Sequence, residues 1–234
     1  MDKISHQSIS SMTSRWNLTR AVKNTRSVLS GRDVFEEIKR TDSIHYLHKR
    51  WRITEVMTLE DDDADELRIV VRGTVWYNIF DWLYNFMPFH YRGRHRGWVK
   101  QAGSVYRDLR HIIKDSPKTT IHFIGMSQGA AVAQILADKM SQWLPAGFTI
   151  KTTAFGSPHP FTRKYQPCHR FLENADSVYA HRDIVVRVPF KWIGFEDKIG
   201  RRMIGKKRIW FPFVGVWAHL DVVMADSARR EDLR

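Results

Sequence analysis

Two periodicities alternate along this chain. The segments WRITEVMTLE and LRIVVRGT are rich in β-branched and apolar residues, and the acidic run DDDADE separates them. That pattern predicts strand, charged turn, strand, and hence a hairpin. Between residues 97 and 115, Trp98, Ala102, Val105, Tyr106 and Leu109 fall on one stripe, which predicts an amphipathic helix. TTIHFIGMS is a short apolar run that reads as a buried strand, QGAAVAQILADKMSQWL joins strong helix formers to an apolar face, and FTIKTTAFGSP returns to strand composition before a turn. Strand, helix, strand is a βαβ unit. SVYAHRDIVVRVP adds a strand and a loop, and residues 190–216 read as a basic hairpin region ending in the apolar run IWFPFVGVW. Upstream, Val34, Phe35, Ile38, Ile44, Tyr46 and Leu47 recur at roughly helical spacing and predict one or two helices leading into the core. The alternation of helices and strands implies an α/β sheet fold with helices on both faces.

At 234 residues the chain has the size of a single domain with its own core, and its 43% hydrophobic and 27% charged residues are ordinary for a globular protein. Residues 1–33, rich in Ser, Thr, Lys and Arg, read as a basic arm outside that domain. The domain is expected to span 34–226, with 227–234 as a charged tail. No repeat or low-complexity tract interrupts it. The net charge of +13 is enough to attract polyanions, either nucleic acid or an anionic lipid surface, although a basic surface also simply keeps a protein soluble. Cys168, the single cysteine, has no partner for an intramolecular disulfide and no zinc-ligand spacing around it. The N-terminus lacks the apolar run of roughly 7 to 15 residues that a secretory signal needs. No window carries the roughly 18 uninterrupted apolar residues of a membrane span. The expectation is therefore a cytoplasmic or peripheral membrane protein.

Gly125, Ser127 and Gly129 form Gly-X-Ser-X-Gly between a predicted strand and a predicted helix. Chemistry needs this spacing for a steric reason: a sharp turn projects the serine hydroxyl, and neighbours without Cβ let strand and helix pass close together. The helix starting near Gln128 would aim its free N–H groups at the space where an oxyanion develops. A glycine-rich turn with a capping serine is the bland alternative. A serine nucleophile needs a base, and the base an orienting acid. Asp183, at the end of a strand-like run, and His219, after the last apolar run, follow in the order Ser, Asp, His that such a sheet uses. Of the 11 histidines, His6, His45, His48, His90, His95 and His111 precede the serine. His122 lies within the strand, His159 and His169 come before the acid, and His181 adjoins it.

Several ordered stretches together resemble the class 3 lipase family, which includes the filamentous-fungal triacylglycerol lipases. IVVRGTVWYNIFDWLYNF is similar to the family's Arg-Gly-Ser/Thr strand end with its Asp-Trp segment, and HRGW to its His-X-Gly-Phe helix start. IGMSQGAAVA is similar to its nucleophile turn and AFGSPHP to its Phe-Gly-X-Pro turn, while RDIVVRVP and WAHL complete the match over roughly residues 50–222. Trp98 stands where Phe is usual, and Met126 where His is common before the serine. The resemblance implies an α/β-hydrolase-type, mixed and mostly parallel sheet. It implies Asp183 and His219 as acid and base, and Thr74 as partner of the Gln128 backbone N–H in the oxyanion hole. No metal or organic cofactor is implied.

Between the oxyanion strand and the next helix, residues 75–91 carry Trp76, Phe80, Trp82, Leu83 and Phe86 among many apolar side chains. In the resembled family this position holds a lid; an ordinary core helix would show the same aromatic stripe. Basic clusters at Arg92 to Arg96 and Arg201 to Arg208 could flank that rim and meet anionic headgroups. The reading is a serine carboxylic-ester hydrolase acting on acylglycerol or phospholipid at a lipid interface. Its alternatives are a catalytically silent lipase-like binding module and a soluble short-chain esterase. Nucleic-acid binding is suggested by charge alone, and no binding motif supports it.

Overall fold

A computed structural model of the chain describes residues 44–47, 56–61, 65–72, 89–180, 183 and 185–204. Seven strands form the main sheet: β1 (Ile44–Leu47), β2 (Val56–Asp61), β3 (Glu66–Val71), β6 (Thr120–Met126), β7 (Thr149–Phe155), β9 (Ala175–Ala180) and β11 (Gly200–Ile204), adjacent in that order. β1, β2 and β3 pair antiparallel, and β3, β6, β7, β9 and β11 pair parallel. The sheet is thus mixed and mostly parallel, and the β2–β3 hairpin forms as its β-branched runs and acidic turn predict.

Alternation along the strands decides which face is core. Leu67, Ile69, Val71, Ile121, Phe123, Ile150 and Ala154 share one face, and on it lie helices α1 (Arg96–Asp115) and α2 (Gln128–Trp143). α1 buries Trp98, Ala102, Val105, Leu109 and Ile113, a single stripe at spacings of three and four. α2 is buried on nearly every side over its first three turns, which its small residues Gly129, Ala130, Ala131, Ala133 and Ala137 allow. The expected helix layer on the opposite face falls outside the described residues. Among the described residues no helix is long and apolar enough to cross a membrane.

Two expectations change. Ile44–Leu47 is a strand, not part of a helix, because antiparallel pairing with Val56–Leu59 outweighs a loose helical spacing. The 190–216 region is not a hairpin over its described part. β10 (Phe195–Glu196) joins a small second sheet with β8 (Phe161–Thr162), β5 (Arg94–His95) and β4 (His90–Tyr91), whereas β11 continues the main sheet in parallel with β9. Strand composition is the same for either partner, so the pattern did not distinguish them.

Two buried polar centres fasten the layers. Asp138 on α2, fully buried, accepts hydrogen bonds from Arg94 (2.6 Å), the Tyr165 hydroxyl (2.7 Å) and the Cys168 amide (2.8 Å). The Arg94 guanidinium also lies 4.2 Å over the Tyr165 ring. Burial, and then the bond to Asp138, push the Tyr165 phenol well above its ordinary range. Arg94 is therefore a structural cation and not a free member of the basic cluster around it. Arg170, on the short helix α3 (His169–Glu173), donates to the carbonyls of Ser141, Leu144, Pro145 and Phe148. These include carbonyls at the end of α2 that the helix itself leaves unsatisfied.

Candidate active site

The serine turn begins where β6 ends. The Ser127 amide donates to Phe155 O at 2.8 Å, which carries the β6–β7 ladder one residue past Met126. Its backbone then turns to φ 56°, ψ −129°, a conformation that costs an L-residue on the order of 1–3 kcal/mol. Ser127 O at once accepts the amides of Ala130 (3.0 Å) and Ala131 (3.3 Å), which starts α2. A Cβ on Gly125 would lie 2.4 Å from Gly129 O, and one on Gly129 would lie 2.5 Å from both Arg72 O and Val71 O. Strand, turn, helix and the end of β3 are in backbone contact here, and only glycine fits at both positions. Ser127 itself is partly exposed, and Gln128 is buried behind it.

The same contact fixes the start of α2 against the end of β3. Gly129 draws the N-terminus of α2 against Arg72, two residues before Thr74 in the chain. Thr74 lies outside the described residues, as do His219 and the candidate lid residues Trp76, Phe80, Trp82, Leu83 and Phe86.

Asp183 follows β9, two strands along from β6, so it and Ser127 leave the C-terminal edge of the parallel sheet about 10 Å apart at strand level. It is 1% exposed, and its Oδ1 accepts the Val185 amide at 2.8 Å. That bond opens the single 3₁₀ turn Val185–Arg187 and fixes the carboxyl relative to the backbone.

One positioning residue was not singled out by the chain order of candidate groups. His159 sits in the loop after β7, is 1% exposed, and has its Nδ1 2.8 Å from Pro189 O, while its amide donates to Val188 O at 2.7 Å. A carbonyl only accepts, so Nδ1 carries the proton in this contact. The loop is held from the other side by Gln134 of α2, whose side chain donates to Ser157 Oγ at 2.6 Å, and by the Gly156 amide, which donates to Val178 O. His159 thereby ties the segment after Asp183 to the strand next to the serine. The Pro-His-Pro sequence was the available signal, but its meaning depends on a partner some thirty residues on.

Three other described histidines are occupied elsewhere. His122 bonds Glu66 and Thr153 within the sheet, His95 packs 4.0 Å from the Trp98 ring, and the exposed His169 pairs with Glu173.

A parallel sheet that ends one strand in a positive-φ serine pinned between two glycines, with a helix starting on the next residue, defines an α/β hydrolase. Residues 68–192, more than half of the chain, match the family model described as Lipase (class 3), and the chain belongs to that family. It is therefore a lipase in the broad sense, a carboxylic-ester hydrolase. Among solved structures it is similar to lipase II from Rhizopus niveus, at 20% identity and TM-score 0.62, over 94% of this chain and 96% of that one. The Rhizomucor miehei triacylglyceride lipase is 19% identical with TM-score 0.60, over 86% and 81% of the two chains. A lipase from Rhizopus microsporus var. chinensis is 16% identical with TM-score 0.61, over 86% and 75%. At such identities the likeness is one of fold. No curated protein matches the chain in sequence.

Proposed function

We propose that this chain hydrolyses lipid esters, acylglycerol or phospholipid, through an acyl-enzyme on Ser127. His219 takes the hydroxyl proton as Ser127 attacks the ester carbonyl, and Asp183 holds the imidazole tautomer and stabilises its cationic form. Thr74 and the Gln128 amide bind the developing oxyanion. His219 then protonates the leaving alcohol, and water activated by the same imidazole releases the acid. The catalytic unit is one domain over 34–226, flanked by the arm 1–33 and the tail 227–234. Residues 76–86 form the lid.

The observation that carries this reading is the backbone of Ser127. A positive φ at a non-glycine residue persists only where its surroundings over-determine it, and such strain clusters at functional sites. Burial of Asp183, with one carboxyl oxygen already fixed by the Val185 amide, fits an orienting acid in a dry setting. The experiment compares the full chain with Ser127→Ala, Asp183→Asn and His219→Ala on short- and long-acyl esters, with and without phospholipid vesicles. Ser127→Ala is expected to lower kcat at least about a thousandfold with melting unchanged. Equal rates for wild type and Ser127→Ala would reject the reading, and the acyl-length profile would separate a lipase from a short-chain esterase.

A further inference from the structure

The four large hydrophobic side chains exposed among the described residues, Phe89, Tyr91, Phe190 and Trp192, all flank the small second sheet. Phe89 and Tyr91 belong to its β4 edge. Phe190 and Trp192 stand just before β10 at the opposite edge, on the chain that leads away from Asp183.

The second pair is built, not frayed. Lys191–Ile193 is a single 3₁₀ turn, closed by Ile193 N to Phe190 O and Gly194 N to Lys191 O, both 3.0 Å, and ended by Gly194 at φ 94°. The Phe190 and Trp192 rings stack with centroids 5.9 Å apart and planes 13° from parallel. Trp192 is nonetheless 81% exposed. Arg163 anchors the turn to β8: its amide donates to Gly194 O at 2.8 Å and its guanidinium to Lys191 O at 3.2 Å. Exposed cations lie in and beside this turn: Lys191 within it, Arg163 bonded to it, and Arg187 and Lys164 close by in the chain. The half-buried carboxylate of Glu196, on β10, is already paired with Lys198 at 2.6 Å and Arg163 at 3.7 Å.

We propose that the stacked Phe190–Trp192 pair and its neighbouring cations form a docking surface for an anionic lipid bilayer. Three observations select this occupant. Aromatic rings with a polar rim partition into the headgroup region, where Trp is enriched. The exposed charges of the turn and its neighbours are cations, and the whole chain is net +13, which complements anionic headgroups. Two aromatic side chains bury at most about 300–500 Å², well short of the roughly 800 Å² per partner of a stable protein interface.

Docking here would also orient the enzyme. Pro189, one residue before the pair, accepts the His159 bond that ties this segment to the loop after β7, so the anchor is coupled rigidly to the edge of the sheet that carries Ser127 and Asp183. The inference rests on the lipid-ester reading for what docking accomplishes, while the surface itself is independent of catalysis.

The test uses the full chain and co-sedimentation with phosphatidylcholine vesicles, with and without phosphatidylglycerol, alongside hydrolysis of a soluble short-acyl ester. Wild type is expected to bind the phosphatidylglycerol vesicles at low salt and to bind them more weakly at high salt. Trp192→Ala should weaken that binding about tenfold or more, with Trp192→Phe largely restoring it. Lys191→Glu should weaken it about fivefold or more at low salt and less at high salt. Melting temperature and soluble-ester rate should stay at wild-type values in all three. Failure of wild type to bind, or unchanged binding by Trp192→Ala, would overturn the proposal. So would a wild-type dimer that Trp192→Ala converts to monomer without loss of vesicle binding, since that assigns the surface to a second copy. Vesicle binding through Trp192 by a chain that hydrolyses no ester would leave the docking surface standing and reject the proposed activity; ester hydrolysis without vesicle binding would do the reverse.

Discussion

Ser127 keeps an unfavourable backbone because everything around it is fixed: its amide bonds Phe155 O, its carbonyl starts α2, and the glycines on either side leave no slack. Two substitutions separate strain from chemistry. Ser127→Ala removes the hydroxyl and keeps the Cβ at φ 56°, whereas Ser127→Gly removes both. Both should be inactive, but Ser127→Gly should be more stable than Ser127→Ala by about 1 kcal/mol, as read from urea midpoints. Equal stabilities would mean that the strain relieved does not exceed the unfolded-state entropy that glycine adds. This turn was legible in the sequence because glycine requirements are local: Gly125 and Gly129 stand two residues from the serine they accommodate. The role of His159 was not, because it is defined by a carbonyl at Pro189 that only the folded loop brings within reach.

At the scale of elements, periodicity revealed those whose partners are dictated by burial, namely the β2–β3 hairpin, α1, β6, α2 and β7. It failed for β1 and β11, edge strands whose assignment depends on which neighbour is free, a property of the sheet and not of the segment. The polar positions within the strands have their own logic. Glu66 on β3 accepts from His122 on β6 at 3.2 Å and from Lys151 on β7 at 2.6 Å, and it also holds Arg68 at 3.2 Å, so one buried carboxylate ties three adjacent strands. The His122 bond, followed by Lys151, lowers its pKa from 4.5 to about 2 against the opposing effect of burial. The folded pKa is depressed, so the stabilisation is complete above pH 4.5 and is lost as pH falls toward 2. Linkage bounds the loss at about 3 kcal/mol. Glu66→Gln should therefore be less stable than wild type at neutral pH, and the gap should close between pH 4.5 and 2. A constant gap across that range, measured by urea unfolding, would show that the charge on Glu66 contributes nothing.

For the whole molecule, charge and fold can be separated by deletion. Residues 1–33 contain six Lys or Arg and two Asp, a sizeable part of the net +13, while the packed layers described here are built from residues 44 to 204. If the domain is 34–226, the arm contributes electrostatics and not core. Sequence-independent attraction to an anionic surface adds roughly 1 kcal/mol per cation that comes within a Debye length of it, and salt removes it. Deleting residues 1–33 should then leave the melting temperature and the soluble-ester rate unchanged. Affinity for phosphatidylglycerol vesicles should fall about tenfold at low salt, with a shallower dependence on salt than in the full chain. The aromatic anchor at Trp192 supplies the part of the affinity that salt does not remove, so the truncated chain should still lose binding on Trp192→Ala. A lower melting temperature after the deletion would place the arm inside the domain and move its boundary upstream of residue 34. An unchanged vesicle affinity would confine the electrostatic contribution to the cations around the Phe190–Trp192 turn.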